Sequence, residues 1–307
     1  MRLPDRLKIF SVKKSLPALV AVMACAASAL AAPDHLPAIV QPAGNERHAG
    51  KVIFVELITP DLAAARQFYA GLFGWTFKDI QYNGRQYAEA FLDGHPVAGL
   101  MQRKLPAGKP RQPVWRSFFS VPDVDLAIKN ATEIGAKVLF GPRDIPDRGR
   151  EAVLADPQGA VFAVLSSASG DPPDELAAPG EWIWSSLLAT DADNAAAFYQ
   201  NLFGYDVFDL PAKGNGTHLL LASKNYARAS VNSFPANKPG LRPHWLNFVR
   251  VEDTEKTAAK VAALGGRVLV KPHADRQGGK VAVVADPQGA RFGLIEWSGV
   301  RNKEAGK

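Results

Sequence analysis

The chain states one pattern twice at a fixed spacing. Asp61, Phe68, Tyr69, Phe73, Gly74, Trp115, Asp123, Gly135, Asp156, Gly159 and Phe162 recur as Asp191, Phe198, Tyr199, Phe203, Gly204, Trp245, Asp253, Gly265, Asp286, Gly289 and Phe292. Each pair is 130 positions apart. A repeat of that length calls for two domains of one fold in tandem. It also separates positions that serve the fold from positions that differ between the copies.

Residues 1–31 read as an address rather than as structure. Arg2, Arg6, Lys8, Lys13 and Lys14 precede an apolar run from Leu16 to Ala27, and Ala29-Leu30-Ala31 offers a small-residue cleavage site. This is the pattern of a secretory signal, with an apolar run too short to span a bilayer. The expected location is periplasmic or secreted. The alternative is a lipoprotein anchored at Cys25, because Val22-Met23-Ala24-Cys25 resembles a lipidation box. The segment carries five basic side chains and Asp5, so its removal lowers the formal charge from +6 to +2. That balance gives no reason to expect nucleic acid as a partner. The single cysteine would leave with it, so no thiol or disulfide chemistry is expected.

Residues 32–50 read as an extended tether, 51–167 as domain one, 168–180 as a Pro-, Gly- and acid-rich linker, 181–298 as domain two, and 299–307 as a tail. Within domain one, Val52–Ile58 is an apolar strand, Asp61 can cap a helix, and Gly74 can stop it. Three strand-like runs follow, and the order restarts at Trp115, with Asp123 as the next cap. Domain two repeats the scheme from Trp182 and from Trp245. The expected class is α+β, with each domain a pair of βαβββ modules. The helices cover one face of a curved sheet and leave a cup on the other.

The run Thr-Pro-Asp-Leu…Phe-Tyr…Leu-Phe-Gly-Trp after a first strand, and the turn Asp-Pro-Gln-Gly-Ala-x-Phe, resemble the vicinal oxygen chelate (VOC) superfamily of glyoxalases, bleomycin-resistance proteins and extradiol dioxygenases. The resemblance covers both domains and implies the cup architecture. It also implies a divalent metal held by His and Glu side chains. At the matching positions this chain has Phe54 and Trp184, Arg116 and Leu246, and Ala163 and Gly293, with the fourth position near Gly99 and near Ala229. None of these side chains is a metal ligand. No metal and no other cofactor is expected.

Strand alternation turns Phe54, Glu56, Ile58, Arg116, Phe118, Ser120, Val161, Ala163 and Leu165 toward the first cup. In the second it turns Trp184, Ser186, Leu188, His244, Leu246, Phe248, Arg291, Gly293 and Ile295. The expected ligand-binding residues are Phe54, Glu56, Arg116, Phe118, Trp184, Ser186, His244 and Phe248. Glu56 is the candidate acid/base, able to pair with Arg116 or to act on a substrate. Trp115 and Trp245 should face the core, and Asp156 and Asp286 should shape turns. The basic stretches Lys104–Arg111 and Arg143–Arg150 read as solvated loops. The leading expectation is a binding protein for a small, partly apolar ligand. The alternatives are a lyase or dioxygenase, with a metal or with Glu56 alone, and a protein-interaction module. No stable membrane span is expected, and the sequence leaves the oligomeric state open.

Overall fold

A computed structural model describes residues 35–104, 113–210, 216–234, 241–275 and 279–297. The signal-like segment and the tail lie outside the described residues, as does nearly all of the basic stretch Lys104–Arg111. No helix of the described residues is long and apolar enough to cross a membrane.

The first domain begins with β1 (Val52–Thr59) and α1 (Leu62–Phe73), followed by β2 (Thr76–Tyr82), β3 (Arg85–Leu92) and β4 (His95–Gln102). Its second module has β5 (Val114–Ser120), α2 (Val124–Glu133), β6 (Lys137–Ile145), β7 (Gly149–Ala155) and β8 (Val161–Ser167). They form one eight-stranded sheet in the order β2-β3-β4-β1-β5-β8-β7-β6. The second domain has β9 (Trp182–Ala189), α3 (Ala192–Phe203), β10 (Asp206–Asp209), β11 (His218–Ser223) and β12 (Tyr226–Ser233). It continues with β13 (His244–Arg250), α4 (Thr254–Ala263), β14 (Arg267–Ala274), β15 (Lys280–Ala285) and β16 (Arg291–Ile295). Its sheet has the same order, β10-β11-β12-β9-β13-β16-β15-β14. Both are curled sheets of an α+β fold, the first a half-barrel, in which two modules join along the antiparallel pair of first strands, β1 with β5 and β9 with β13.

Local chemistry sets the elements. Asp61 accepts a hydrogen bond from the Ala64 amide at 2.9 Å and starts α1. Gly74, at φ 78°, closes it in the left-handed conformation that glycine adopts without a Cβ clash. Leu62, Ala65, Phe68, Tyr69 and Leu72 recur at helical spacing and are buried against the convex face of the sheet. The Asp93-Gly94 pair, both at positive φ, makes the tight hairpin turn between β3 and β4.

Each of the two large cores is built from both domains. Val55, Leu57, Phe68, Tyr69 and Trp115 of the first domain share one core with Val249, Val261, Val284, Phe292 and Leu294 of the second. Phe119, Leu154, Phe162 and Val164 share the other with Leu187, Phe198, Tyr199, Leu221 and Trp245. The helix-bearing backs of the two sheets are thus packed together. Trp115 and Trp245 are buried where parity puts them. Asp156 and Asp286 do accept from turn amides, Ala160 and Ala290, at 2.8 Å each. Each also takes a hydrogen bond from a tyrosine of the other domain, which the turn motif alone does not reveal.

The linker is tied down. Asp174 pairs with Lys51 at 2.9 Å and with Arg228 at 2.5 Å, joining the start of the first domain to β12 of the second.

Candidate functional site

The concave face of the first sheet can be read as rows across neighbouring strands. One row runs Glu89, Gly99, Glu56, Arg116 over β3, β4, β1 and β5. Glu56 and Arg116 are direct cross-strand partners, and their charged groups lie 3.6 Å apart. Glu56 is 5% exposed and accepts no hydrogen bond from any described residue. Burial lifts its pKa from 4.5 to about 7, against the pull of Arg116 and with the help of Glu151. The Nε of Arg116 is buried without a hydrogen-bond partner among the described residues. The acid is therefore buried beside a base that keeps 18% of its side chain exposed and has its Nε unpaired.

The rest of the cup is more charged than parity reasoning on a few strands revealed. Glu89 is fully buried and bonded at 3.0 Å to Arg148, itself 2% exposed. Burial pushes the Glu89 carboxyl up while Arg148 opposes the shift. Arg148 follows β6, at the far end of the sheet from β3, so this pair reaches across the cup. Its guanidinium lies 4.3 Å from the centre of the Phe54 ring. Glu151 is held by Arg143 at 2.8 Å. The expected solvated loop over Arg143–Arg150 is corrected here. β6 and β7 run through most of it, Arg148 points inward, and Arg150 pairs with Asp125 and Asp144. Gly99 is required because the Tyr87 hydroxyl and the Phe54 ring occupy the space of a side chain there.

The segment read as a tether packs inside this cup. Leu36 is buried among Ile58, Tyr82, Tyr87, Met101 and Ile145. Ile39 is buried among Phe54, Phe118, Val153, Ala163 and Leu165. Downstream, the Val40 amide donates to Ser169 Oγ at 3.0 Å and the His48 amide to Asp171 at 2.6 Å. Two apolar side chains separated by Pro37 and Ala38 were the only sequence sign of this plug.

In the second sheet the matching row is Leu220, Ser230, Ser186, Leu246. The residue beside Ser186 is Ser230 rather than Ala229, which faces the core. The offset grows by one on β11 and β12, so a fixed spacing of 130 misplaces that strand. The next row is His218, Asn232, Leu188, His244. Trp184 Nε1 donates to Ser230 Oγ at 3.1 Å, and Ser230 bonds Ser186 Oγ at 3.0 Å. Asn232 Nδ2 donates to Ser186 Oγ at 2.7 Å, and the Asn232 carbonyl meets His218 Nδ1. His244 sits at the entrance of β13 against the Arg242 carbonyl, and burial lowers its pKa. Phe248 lies over Gly293. The structure thus brings Phe54, Glu56, Arg116 and Phe118 together on one concave face. Trp184, Ser186, His244 and Phe248 are together on the other, and the two groups do not meet.

The fold family implies a divalent metal in such a cup. Among the described residues, no three His, Cys, Asp or Glu side chains are grouped so as to hold one. Glu89 and Glu151 are engaged by Arg148 and Arg143. The donor set around Phe54, Arg116 and Ala163 does not fit a cation.

Fold and sequence together define the class: the chain belongs to the glyoxalase/bleomycin resistance protein/dioxygenase superfamily, whose model matches residues 51–164, with a glyoxalase-like domain matching 185–295. It is 32% identical over 259 residues to the proposed glyoxylase CFP32 of Mycobacterium tuberculosis, covering 83% of this chain and 98% of the relative. It is 30% identical over 259 residues to the anthracycline biosynthesis protein DauV of a Streptomyces species, covering 80% and 93%. The Mn(II)-bound glyoxalase from Novosphingobium aromaticivorans aligns with a TM-score of 0.57 at 18% identity, over 81% of this chain and 83% of that one. A variant of homoprotocatechuate 2,3-dioxygenase from Brevibacterium fuscum aligns with a TM-score of 0.59 at 15% identity, over 87% and 77%. At these identities the structural likeness is one of fold.

Proposed function

We propose that this superfamily member is an exported protein that binds a small, partly apolar ligand in the first cup without the family's metal. Phe54 and Phe118 form the apolar wall, and Glu56 and Arg116 read the polar end of the ligand. One observation carries the reading: the buried Glu56 faces Arg116 at 3.6 Å, and the Arg116 Nε is buried without a hydrogen-bond partner among the described residues. A ligand with a donor for Glu56 and an acceptor for Arg116 would supply what both lack. Leu36 and Ile39 hold the place of its apolar part, so capture requires displacing the N-terminal segment.

A second reading is an acid/base enzyme. It is favoured by the Glu56 pKa of about 7, which lets the carboxyl both take and give a proton near neutral pH. The names of the relatives, a proposed glyoxylase and a biosynthetic protein, are compatible with either reading.

Native mass spectrometry of the chain purified from its own source tests these points together. The expected result is a retained small molecule, no stoichiometric metal, and a mass cut after Ala31. A mass beginning at a lipidated Cys25 would instead select the lipoprotein alternative. The retained molecule should be lost in Arg116→Gln. A stoichiometric transition ion, with turnover abolished by chelation, would overturn the metal-free reading. In the enzyme case, Glu56→Gln retains the ligand and loses turnover of it.

A further inference from the structure

We propose that the concave face of the second sheet is a separate site, for an uncharged, ring-bearing ligand that presents a carbonyl or hydroxyl oxygen. The inference rests on residues of the second domain and stands apart from the reading of the first cup.

The two cups differ in access. Phe54, Ile58 and Phe118 are 7%, 5% and 3% exposed, covered by the cup's own contents. Their counterparts Trp184, Leu188 and Phe248 are only half-buried. The second face therefore presents aromatic and apolar surface that the first one hides. Trp297, following β16, stacks on Trp184 with ring centres 6.0 Å apart and planes 24° apart. Together with Phe248 over Gly293, they make a wall suited to a flat ring.

The central row beside that wall is polar but uncharged, and the cations lining a pocket with Trp184 and Trp297, those of Lys51 and Arg228, are already paired with Asp174. Where the first cup has Glu89, Glu56 and Arg116, the second has Leu220, Ser186 and Leu246. Arg291, of cup-facing parity, is exposed at the start of β16. An ion brought onto this face would meet no opposite charge from the central row, and its desolvation would go uncompensated.

Counting protons gives the polarity of the site. Trp184 Nε1 and Asn232 Nδ2 can only donate, and they feed the hydroxyls of Ser230 and Ser186. A single bond joins those two hydroxyls. Two hydroxyl protons serve one hydroxyl–hydroxyl bond, so one proton is left without an acceptor among the described residues. With Ser230 donating, that proton is on Ser186, midway along the row. The chain of donors therefore ends on a group that can donate to a ligand oxygen, beside the indole of Trp184.

Isothermal titration calorimetry of the full chain with benzamide, and with benzoate as its charged isostere, tests the assignment. Benzamide should bind one site with a dissociation constant on the order of 1 mM, as expected for so small a ligand. Benzoate should bind at least ~10-fold more weakly, having no cation to meet in the central row. Ser186→Ala should weaken benzamide by ~10-fold, Ser186→Thr should retain it, and Trp184→Leu should abolish it. Circular dichroism and a cooperative melt show that the variants are folded, and the threonine variant keeps the hydroxyl if alanine disturbs the network. No saturable benzamide binding, equal affinity for benzoate, or benzamide binding unchanged in folded Ser186→Ala would each overturn the proposal.

Discussion

Tyr69 of the first domain donates its hydroxyl hydrogen bond to Asp286 of the second, at 3.1 Å. The repeat returns the contact: Tyr199 donates to Asp156, also at 3.1 Å. Each tyrosine in turn accepts from the tryptophan of its own domain, Trp115 or Trp245, at 2.9 and 3.0 Å. A tryptophan–tyrosine–aspartate relay thus crosses the domain boundary in both directions. The first-strand residues beside it are joined too, through Asn247, whose carbonyl accepts from Ser117 and Ser185.

Tyr69→Phe leaves the Trp115 indole without its acceptor and Asp286 without one donor. Each is buried, so the expected loss is about 1–3 kcal/mol of unfolding free energy. Because the cores are shared, urea unfolding should remain a single transition for both domains in wild type and variant. Two separated transitions would contradict the shared-core packing.

Glu56 sets a pH dependence of stability. Its folded-state pKa is raised from 4.5 to about 7 by burial. Between these values the folded state holds a proton that the unfolded state has released. Stability from this group is complete below pH 4.5 and falls as pH rises to about 7, by ~3 kcal/mol. Thermal melts of Glu56→Gln should show a flatter profile across this window than wild type. An equal slope in both would assign the dependence elsewhere.

Leu36 and Ile39 hold the first cup shut through apolar contact. Leu36→Ser with Ile39→Ser should lower the free energy of opening that segment by about 1.5–3 kcal/mol per side chain. Hydrogen exchange of residues 36–48 should accelerate, and an apolar dye should bind, with the circular dichroism of the sheets unchanged. Unaltered exchange would mean that the hydrogen bonds of Val40 and His48 suffice to hold the segment.

Arg148→Met strands the buried Glu89 carboxylate. The expected cost is about 3–5 kcal/mol, most of it recovered when Glu89→Gln is added, because a neutral amide tolerates the site better than an unpaired charge. Denaturant midpoints of the two variants decide this. Equal destabilisation by single and double variant would show that lost packing on Phe54 dominates.

Much of the architecture was legible because it depends on local rules. Asp61 and Asp123 cap helices, Gly74 ends one, and alternation along β1 separates Val55 and Leu57 from Phe54 and Glu56. The same alternation puts Glu56 and Arg116 on one face, and comparing the copies shows that the second domain has Ser186 and Leu246 in their place. What stayed hidden depends on contacts distant in sequence. Nothing in the local pattern around Arg148 says that it crosses the cup to Glu89, 59 positions earlier. Residues 35–50 lack periodicity, so the burial of Leu36 and Ile39 could not be inferred from spacing. The sequence places the fourth position only near Ala229; the residue beside Ser186 is Ser230, because β12 does not keep the repeat's spacing.

The intermeshed hydrophobic backs carry an implication for either half on its own. A lone copy of either half would leave its broad greasy slab facing water. The same residues that now join the halves would drive it to find a twin. The tandem chain thus has the form of such a pair made covalent, and because its halves are one chain with different side chains, its two bowls need not match: one is charged and stoppered, the other more open with an uncharged middle.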